Sequence, residues 1–207
     1  SKLVSDGYLL FQELGAVDSK RQITEIGLQL ARLPLDPRVG RMILAAKYEG
    51  CLNEVLIIAS VLSIQDPRER PMDKREAADN AHAKFAGEGS DFMSYLKLWD
   101  FFDNALKTKK SNKDLLNQCH SNFLSFLRIK EWRELHSQIK QLTDEMEFKL
   151  NDKEANFEQI HKALLAGLLG NIGFKDGDND AYSGARSIRF YVAPGSCLKK
   201  TRPKWVI

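Results

Sequence analysis

Apolar positions recur at helical spacing along most of this 207-residue chain and change to strand-like alternation only near its C-terminal end. Tyr8, Leu9, Phe11, Leu14 and Val17 form a first helical stripe, with Gly15 placed to end it. Thr24 stands as an N-cap before a short helix carrying Ile26, Leu28 and Leu30, which Leu33-Pro34 stops. Asp36-Pro37-Arg38 sets a capping carboxylate ahead of a proline at the first helical position, where no backbone N–H is needed. Val39, Met42, Ile43 and Ala46 make the stripe of that helix, which ends near Gly50. Leu52, Val55, Leu56, Ala59 and Leu62 make the next. Residues 66–71 hold two prolines and read as irregular. Helices are predicted over 73–85 and 91–106, the second with Phe92, Tyr95, Leu96, Trp99, Phe102 and Leu106 on one face.

A basic, polar loop over 107–113 leads to the longest helical region, 114–149. Its first half is predicted to bury Leu116, Cys119, Phe123, Phe126 and Leu127. Its second half is predicted to bury Ile129, Trp132, Leu135, Ile139 and Leu142, and the shift of stripe near 127–129 implies a kink or break. A further helix at 157–169 carries Phe157, Ile160, Leu164 and Leu168 and ends at Gly170. Beyond it, residues 176–180 read as a turn. Ile188, Phe190 and Val192 alternate with Arg189 and Tyr191 as in a half-buried strand, and Trp205-Val206-Ile207 reads as another. The expected fold class is therefore mainly α: a helical bundle followed by a small, incomplete sheet of two or three strands.

Composition narrows the class without naming an activity. A hydrophobic fraction of 43% and a charged fraction of 29% fit a soluble globular protein. No secretory signal or membrane span is apparent, and three widely spaced cysteines (Cys51, Cys119, Cys197) read as reduced thiols, so a cytoplasmic location is expected. Net charge is only +3, but its distribution is uneven. From residue 186 onward stand Arg186, Arg189, Lys199, Lys200, Arg202 and Lys204 with no acid, whereas 141–158 holds six acids against two lysines.

Catalytic constellations are lacking. The four histidines (His82, His120, His136, His161) show no metal-ligand spacing, no G-x-S-x-G elbow occurs, and the acidic turn at 176–180 lacks the glutamate that closes a calcium hand. There is no G-x-x-x-x-G-K-[ST] phosphate loop and no Asp-Glu-Ala-His motif, and no cofactor is expected on this chain. Nucleic-acid binding has better residues. Arg128 precedes Lys130, Arg133 and Lys140, which fall within an arc of ~80° on one helix at ~100° per residue. Phosphate neutralisation is one use for that arc; a solvated face paired with Glu131 and Glu134 is the other. Arg189 turns outward beside Tyr191, whose ring suits base stacking, within the acid-free terminal stretch.

Several segments carry a more specific likeness. Asp6-Gly7-Tyr8, Leu14-Gly15-Ala16-Val17-Asp18, Leu33-Pro34-Leu35-Asp36-Pro37-Arg38, the stretch from Leu62 through Asp66-Pro67-Arg68-Glu69-Arg70-Pro71, Ser90-Asp91-Phe92, Arg128-Ile129-Lys130-Glu131-Trp132-Arg133, Gly184-Ala185-Arg186 and Pro194-Gly195-Ser196 occur in this order. Together they resemble the helicase-associated region of bacterial DEAH-box RNA helicases. The resemblance implies a partial winged helix over 1–35, a helical "ratchet" bundle over 36–170, and the first strands of an OB-fold over 171–207. It also implies that two RecA-like domains, absent from this stretch, bind ATP and magnesium and move 3′ to 5′ along single-stranded RNA. Carried over by position, RNA contacts would come from Arg128, Lys130, Arg133 and Lys140, and from Arg186, Arg189, Tyr191, Ser196, Lys199 and Lys200. Asp66, Arg68, Glu69 and Arg70 would lock neighbouring helices or dock a RecA-like domain. The partners so implied are single-stranded RNA and RecA-like domains of the same protein, with no membrane and a monomeric state. Two other readings stay open: a free-standing helical adaptor that binds protein partners through residues 66–71, and a winged-helix DNA-binding regulator.

Overall fold

The structure, a computed structural model, describes residues 2–175, 177 and 180–207, without the side chains of Lys2, Leu3 and Arg186. Helices α1 (Lys2–Glu13) and α2 (Glu25–Leu30) come first, and Thr24 Oγ1 caps α2 by accepting from the Gly27 N–H at 3.1 Å. Then follow α3 (Pro37–Glu49), α4 (Leu52–Leu62), α5 (Arg75–Ala83), α6 (Asp91–Thr108), α7 (Asn112–Ser121), α8 (Phe126–Glu145) and α9 (Phe157–Gly167). Asp36 caps α3 with Pro37 in its first turn, as the tripeptide dictates.

Helix α4 is the axis of the bundle. Eight of its eleven residues are buried, and α3, α6, α8 and α9 surround it, as expected of a helix apolar on every side. Two cores meet along it. One joins α2, α3, α4, α9 and the C-terminal half of α8 through Met42, Ile43, Leu56, Ile139 and Ile160. The other joins α6, α7 and the start of α8 through Leu98, Phe102, Leu115, Leu124, Ile129 and Trp132. The polar groups that α4 carries inward are satisfied. Glu54 accepts from the Ala155 N–H at 3.0 Å and from Asn151 Nδ2, while Ser60 Oγ receives the Trp132 indole N–H at 3.0 Å. Helices α3 and α9 touch where a Cβ on Gly167 would stand 2.2 Å from the Arg38 carbonyl oxygen.

The break in the long helical region lies at 122–125, a turn earlier than the stripe implies. Phe123 adopts φ +52° there, and Ser125 starts α8 as its N-cap. That start places Leu127 about 200° around the helix from Ile129. Leu127 is accordingly 75% exposed rather than buried, while Ile129 and Trp132 reach the core.

The C-terminal sheet has four antiparallel strands, not two or three. They are β1 (Gly173–Phe174), β2 (Ala181–Ser183), β3 (Arg189–Tyr191) and β4 (Trp205–Val206), in the order β3-β2-β1-β4. A short helix α10 (Leu198–Thr201) precedes β4. Helix α9 stops at Gly167 and a 3-10 turn, Leu169–Asn171, leads to β1. Ile188 is 60% exposed, contrary to its expected burial. It lies outside β3, just after a 3-10 turn, where its carbonyl closes that turn by accepting the Gly184 N–H at 2.7 Å. The expected turn at 176–180 falls largely on Asp176, Asp178 and Asn179, outside the described residues.

Candidate nucleic-acid interface

The register of the sheet decides which side chains share a face, because antiparallel partners point the same way. Tyr182 pairs with Phe190, and Gly173 with Val206. These residues form the inner face: Tyr182 and Val206 are buried, and the Phe190 ring occupies the space a Cβ on Gly173 would need, 2.2 Å from its Cζ. The opposite face carries Tyr191 beside Ala181, and across the strands the row Arg189, Ser183, Phe174 and Trp205. Arg189 and Ser183 are exposed, Tyr191 is 69% exposed and Trp205 62%. Trp205 leans on Phe174 with ring centroids 4.6 Å apart, and Lys204 Nζ sits 5.3 Å over the Phe174 ring. The face thus carries exposed rings together with cations, a surface suited to stacked bases and phosphates.

Arg189 and Tyr191 stand on this face as the alternation predicts. Phe174 and Trp205 share this face although neither was among the residues expected to contact RNA, whereas Lys204 belongs to the basic terminal stretch. The signal for the two rings was present as the pairs Gly173-Phe174 and Trp205-Val206, each with one inward and one outward member, but strands of two residues are too short to show a period. Ser196 Oγ accepts the Leu198 N–H at 3.1 Å, and the Cys197 N–H donates to Asp91 Oδ1 at 2.9 Å, which ties α10 to the start of α6. Lys200 is exposed and Lys199 half-buried. The Arg186 side chain lies outside the described residues.

On α8 the four basic residues divide. Lys130 is exposed and Lys140 half-buried, and neither makes an ion pair among the described residues. Arg128 Nη1 donates to the Asp66 carbonyl at 3.1 Å. Arg133 pairs with Asp103 at 3.1 Å, lies 4.5 Å over the Trp99 ring, and leaves its buried Nη1 without a partner. Beside it, His136 packs on Trp99 at 4.5 Å. Burial, reinforced by the charges of Arg133 and Lys140, lowers its pKa to about 4. No hydrogen bond or ion pair among the described residues joins the α8 set to the sheet set.

The segment 66–71 is held from several sides. Arg68 donates from Nη2 to Asp66 Oδ2 at 2.6 Å and from Nε to Oδ1 at 3.0 Å, and its guanidinium lies over the Tyr95 ring at 4.9 Å. Tyr95 donates to Asp66 Oδ2 at 3.1 Å. Burial alone raises the Asp66 pKa, but the Arg68 hydrogen bonds and charge outweigh it and hold the carboxyl below its usual range. Arg70 makes a bidentate pair with Asp79, at 2.7 and 2.6 Å. The backbone closes the lock: the Glu69 N–H donates to the Phe123 carbonyl, and the Ser125 N–H to that of Pro67, both at 2.8 Å. The Glu69 side chain is exposed.

Among the described residues no group of three or more His, Cys, Asp or Glu is placed to hold a metal ion, and no helix is long and apolar enough to cross a membrane. Residues 12–35 match the family described as "Helicase associated domain (HA2), winged-helix", and residues 36–95 match "Helicase associated domain (HA2), ratchet-like". The chain is 44% identical over 209 residues to the ATP-dependent RNA helicase HrpA of Escherichia coli (strain K12), an alignment covering 99% of this chain and 16% of the relative. It is 44% identical over 211 residues to the HrpA homolog of Haemophilus influenzae, with the same coverage. It is 29% identical over 203 residues to the ATP-dependent RNA helicase DHX33 of Drosophila melanogaster, covering 97% of this chain and 28% of that protein. The chain therefore spans about a sixth of the length of its bacterial relatives. Residues 12–95 thus match helicase-associated winged-helix and ratchet-like domains, and over 99% of its length the chain is closely similar to one region of the bacterial HrpA-type RNA helicases.

Proposed function

We propose that this chain is the accessory region of an ATP-dependent RNA helicase moving 3′ to 5′, where it grips single-stranded RNA and packs against the RecA-like motor domains. The observation that carries the reading is the open sheet face with Arg189, Tyr191, Phe174 and Trp205, in a chain similar over nearly its whole length to RNA helicases. Stacking on Tyr191 and Trp205 accepts any base, and cations at Arg189, Lys199, Lys200 and Lys204 hold phosphates without reading sequence. Such a grip permits a strand to slide. Lys130 and Lys140 on α8, with the anchored Arg128 and Arg133, form a second contact line. ATP and magnesium belong to the RecA-like domains of the proposed parent, and no residue of this chain takes part in hydrolysis. The Arg186 side chain is assigned to the RNA path by position only.

Residues 66–71 form the docking surface in this reading. Asp66, Arg68 and Arg70 are engaged internally, so they present a rigid loop from which Glu69 projects toward a RecA-like domain. A cytoplasmic, monomeric protein is proposed with it. The test is a fluorescence-anisotropy titration with labelled single-stranded RNA at several salt concentrations. Arg189→Ala/Tyr191→Ala is expected to weaken binding about 10- to 100-fold, from one lost stack and one lost phosphate contact. Lys130→Ala/Lys140→Ala is expected to lower the salt slope by about 1–1.5. Binding indifferent to both pairs would place the RNA elsewhere.

A further inference from the structure

The α6–α7 connection carries a charge that the single-strand path does not use. Lys107, Lys109, Lys110 and Lys113 lie within seven consecutive residues, 107–113, all of them exposed. Two acids beside them are already engaged. Asp103 is shared between Lys107 at 2.7 Å and Arg133 at 3.1 Å, so the carboxylate ties the last turns of α6 to α8. Asp114 accepts the Lys110 backbone N–H and the Gln118 amide, each at 3.2 Å. Lys109 reaches only the neutral Asn112 Oδ1, and Lys110 and Lys113 have no side-chain partner among the described residues. Ser111 caps α7 and fixes the loop against that helix.

The surface is cationic but offers no ring. No large apolar side chain between Met72 and Leu127 is exposed. The aromatic residues beneath the loop are taken: Arg133 covers Trp99 and lies 5.8 Å from the Phe102 ring, and Lys84 covers Phe85 and Phe101. Single-stranded nucleic acid gains much of its hold from stacking, which the sheet face offers and this surface does not, whereas a duplex is held by its phosphates alone. Only 109–111 is loop, since Lys107 lies in the last turn of α6 and Lys113 in the first of α7, so the segment spans at most about 15–20 Å, along which a duplex presents roughly ten phosphates, whatever its sequence. We propose that the lysine cluster at 107–113, where α6 passes into α7, is a duplex-binding surface that holds the phosphate backbone of paired nucleic acid apart from the sheet face. Lys109, Lys110 and Lys113 supply the free charge. Lys107 and Arg133, both held at Asp103, fix the end of α6 to α8 and act as positioning residues.

The inference does not depend on the sheet face gripping single strands, and one experiment separates the two. The chain and its Lys109→Ala/Lys110→Ala/Lys113→Ala variant are titrated at several salt concentrations with a blunt RNA duplex, a DNA duplex of the same sequence, and a single RNA strand of equal length. The substituted side chains are solvent-exposed, and an unchanged thermal unfolding curve serves as the control for folding. The proposal expects a tenfold or greater loss of duplex affinity at about 100 mM salt and a salt slope smaller by about 2–3. It expects similar losses on RNA and DNA duplexes and less than a twofold change on the single strand. Arg189→Ala/Tyr191→Ala should show the reverse pattern. Duplex affinity unchanged by the triple variant overturns the proposal, as does a wild-type chain that binds no duplex at low salt. Binding of poly-glutamate in place of either duplex would also overturn it, by pointing to an acidic protein.

Discussion

Trp132 shows how much of the bundle depends on single side chains. It is almost fully buried between α4 and α6, and its indole N–H reaches both Ser60 Oγ and the Ile57 carbonyl at 3.0 Å. Trp132→Ala removes the largest fully buried side chain and leaves a cavity, while Ser60 Oγ keeps its bonds to the Leu56 and Ile57 carbonyls. The substitution is expected to cost about 3–5 kcal/mol, read as a fall in the urea midpoint. His136 supplies a pH signature. Its folded pKa near 4 lies below the ordinary 6.5, so between those values the unfolded chain takes up a proton that the folded chain refuses. Stability should fall as pH drops from 6.5 toward 4, by up to about 3 kcal/mol. His161, lowered chiefly by burial, adds in the same direction. Melting curves from pH 7.5 to 4.5 check this, and His136→Gln should flatten most of the slope; an unchanged slope would assign it elsewhere. A residue-level reading of the sequence had no access to this shift, because nothing in the chain order places His136 on Trp99.

At the scale of elements, helices were legible wherever caps and stripes agreed. Asp36-Pro37 starts α3 and Thr24 starts α2 at the residues that the cap rules indicate. The α7–α8 break was misplaced because its determinant is not apolar spacing. It is a left-handed Phe123 held by its carbonyl, which accepts from Glu69 and meets His82 Nε2 at 3.1 Å, both distant in sequence. Strands β1, β2 and β4 of two or three residues carry too little period to read, and α10 has only four residues. The contact of α3 with α9 gives this scale its prediction. Gly167→Ala drives a Cβ against the Arg38 backbone, which no rotamer change relieves, and should cost about 1–3 kcal/mol in chemical denaturation. Tolerance of alanine there would mean that the two helices slide apart freely.

Across the whole molecule, cationic surfaces lie on the C-terminal sheet, along α8 and where α6 passes into α7. The terminal cations were visible in the sequence as an acid-free run, and Arg189 with Tyr191 as an alternation. Their partnership with Phe174 and Trp205 arises only when β1 pairs with β2 and β4 with β1, through pairings between residues up to about thirty positions apart. The α8 cations were equally visible, but that Arg128 and Arg133 are anchored, by Asp66 and Asp103, depends on tertiary neighbours. Trp205→Ala should therefore weaken single-stranded RNA binding by about 1–3 kcal/mol, since its outward ring is offered to a base, while leaving the helical core unaffected by circular dichroism. The central claim is that RNA runs over the sheet face. Photocrosslinking of a 4-thiouridine-containing single strand to the chain, with the attachment sites mapped by mass spectrometry, tests it most directly. The account predicts adducts at Tyr191, Trp205 and Phe174, with weaker ones along α8 near Lys130. Adducts confined to α1–α5, or none at low salt with a folded chain, would contradict it.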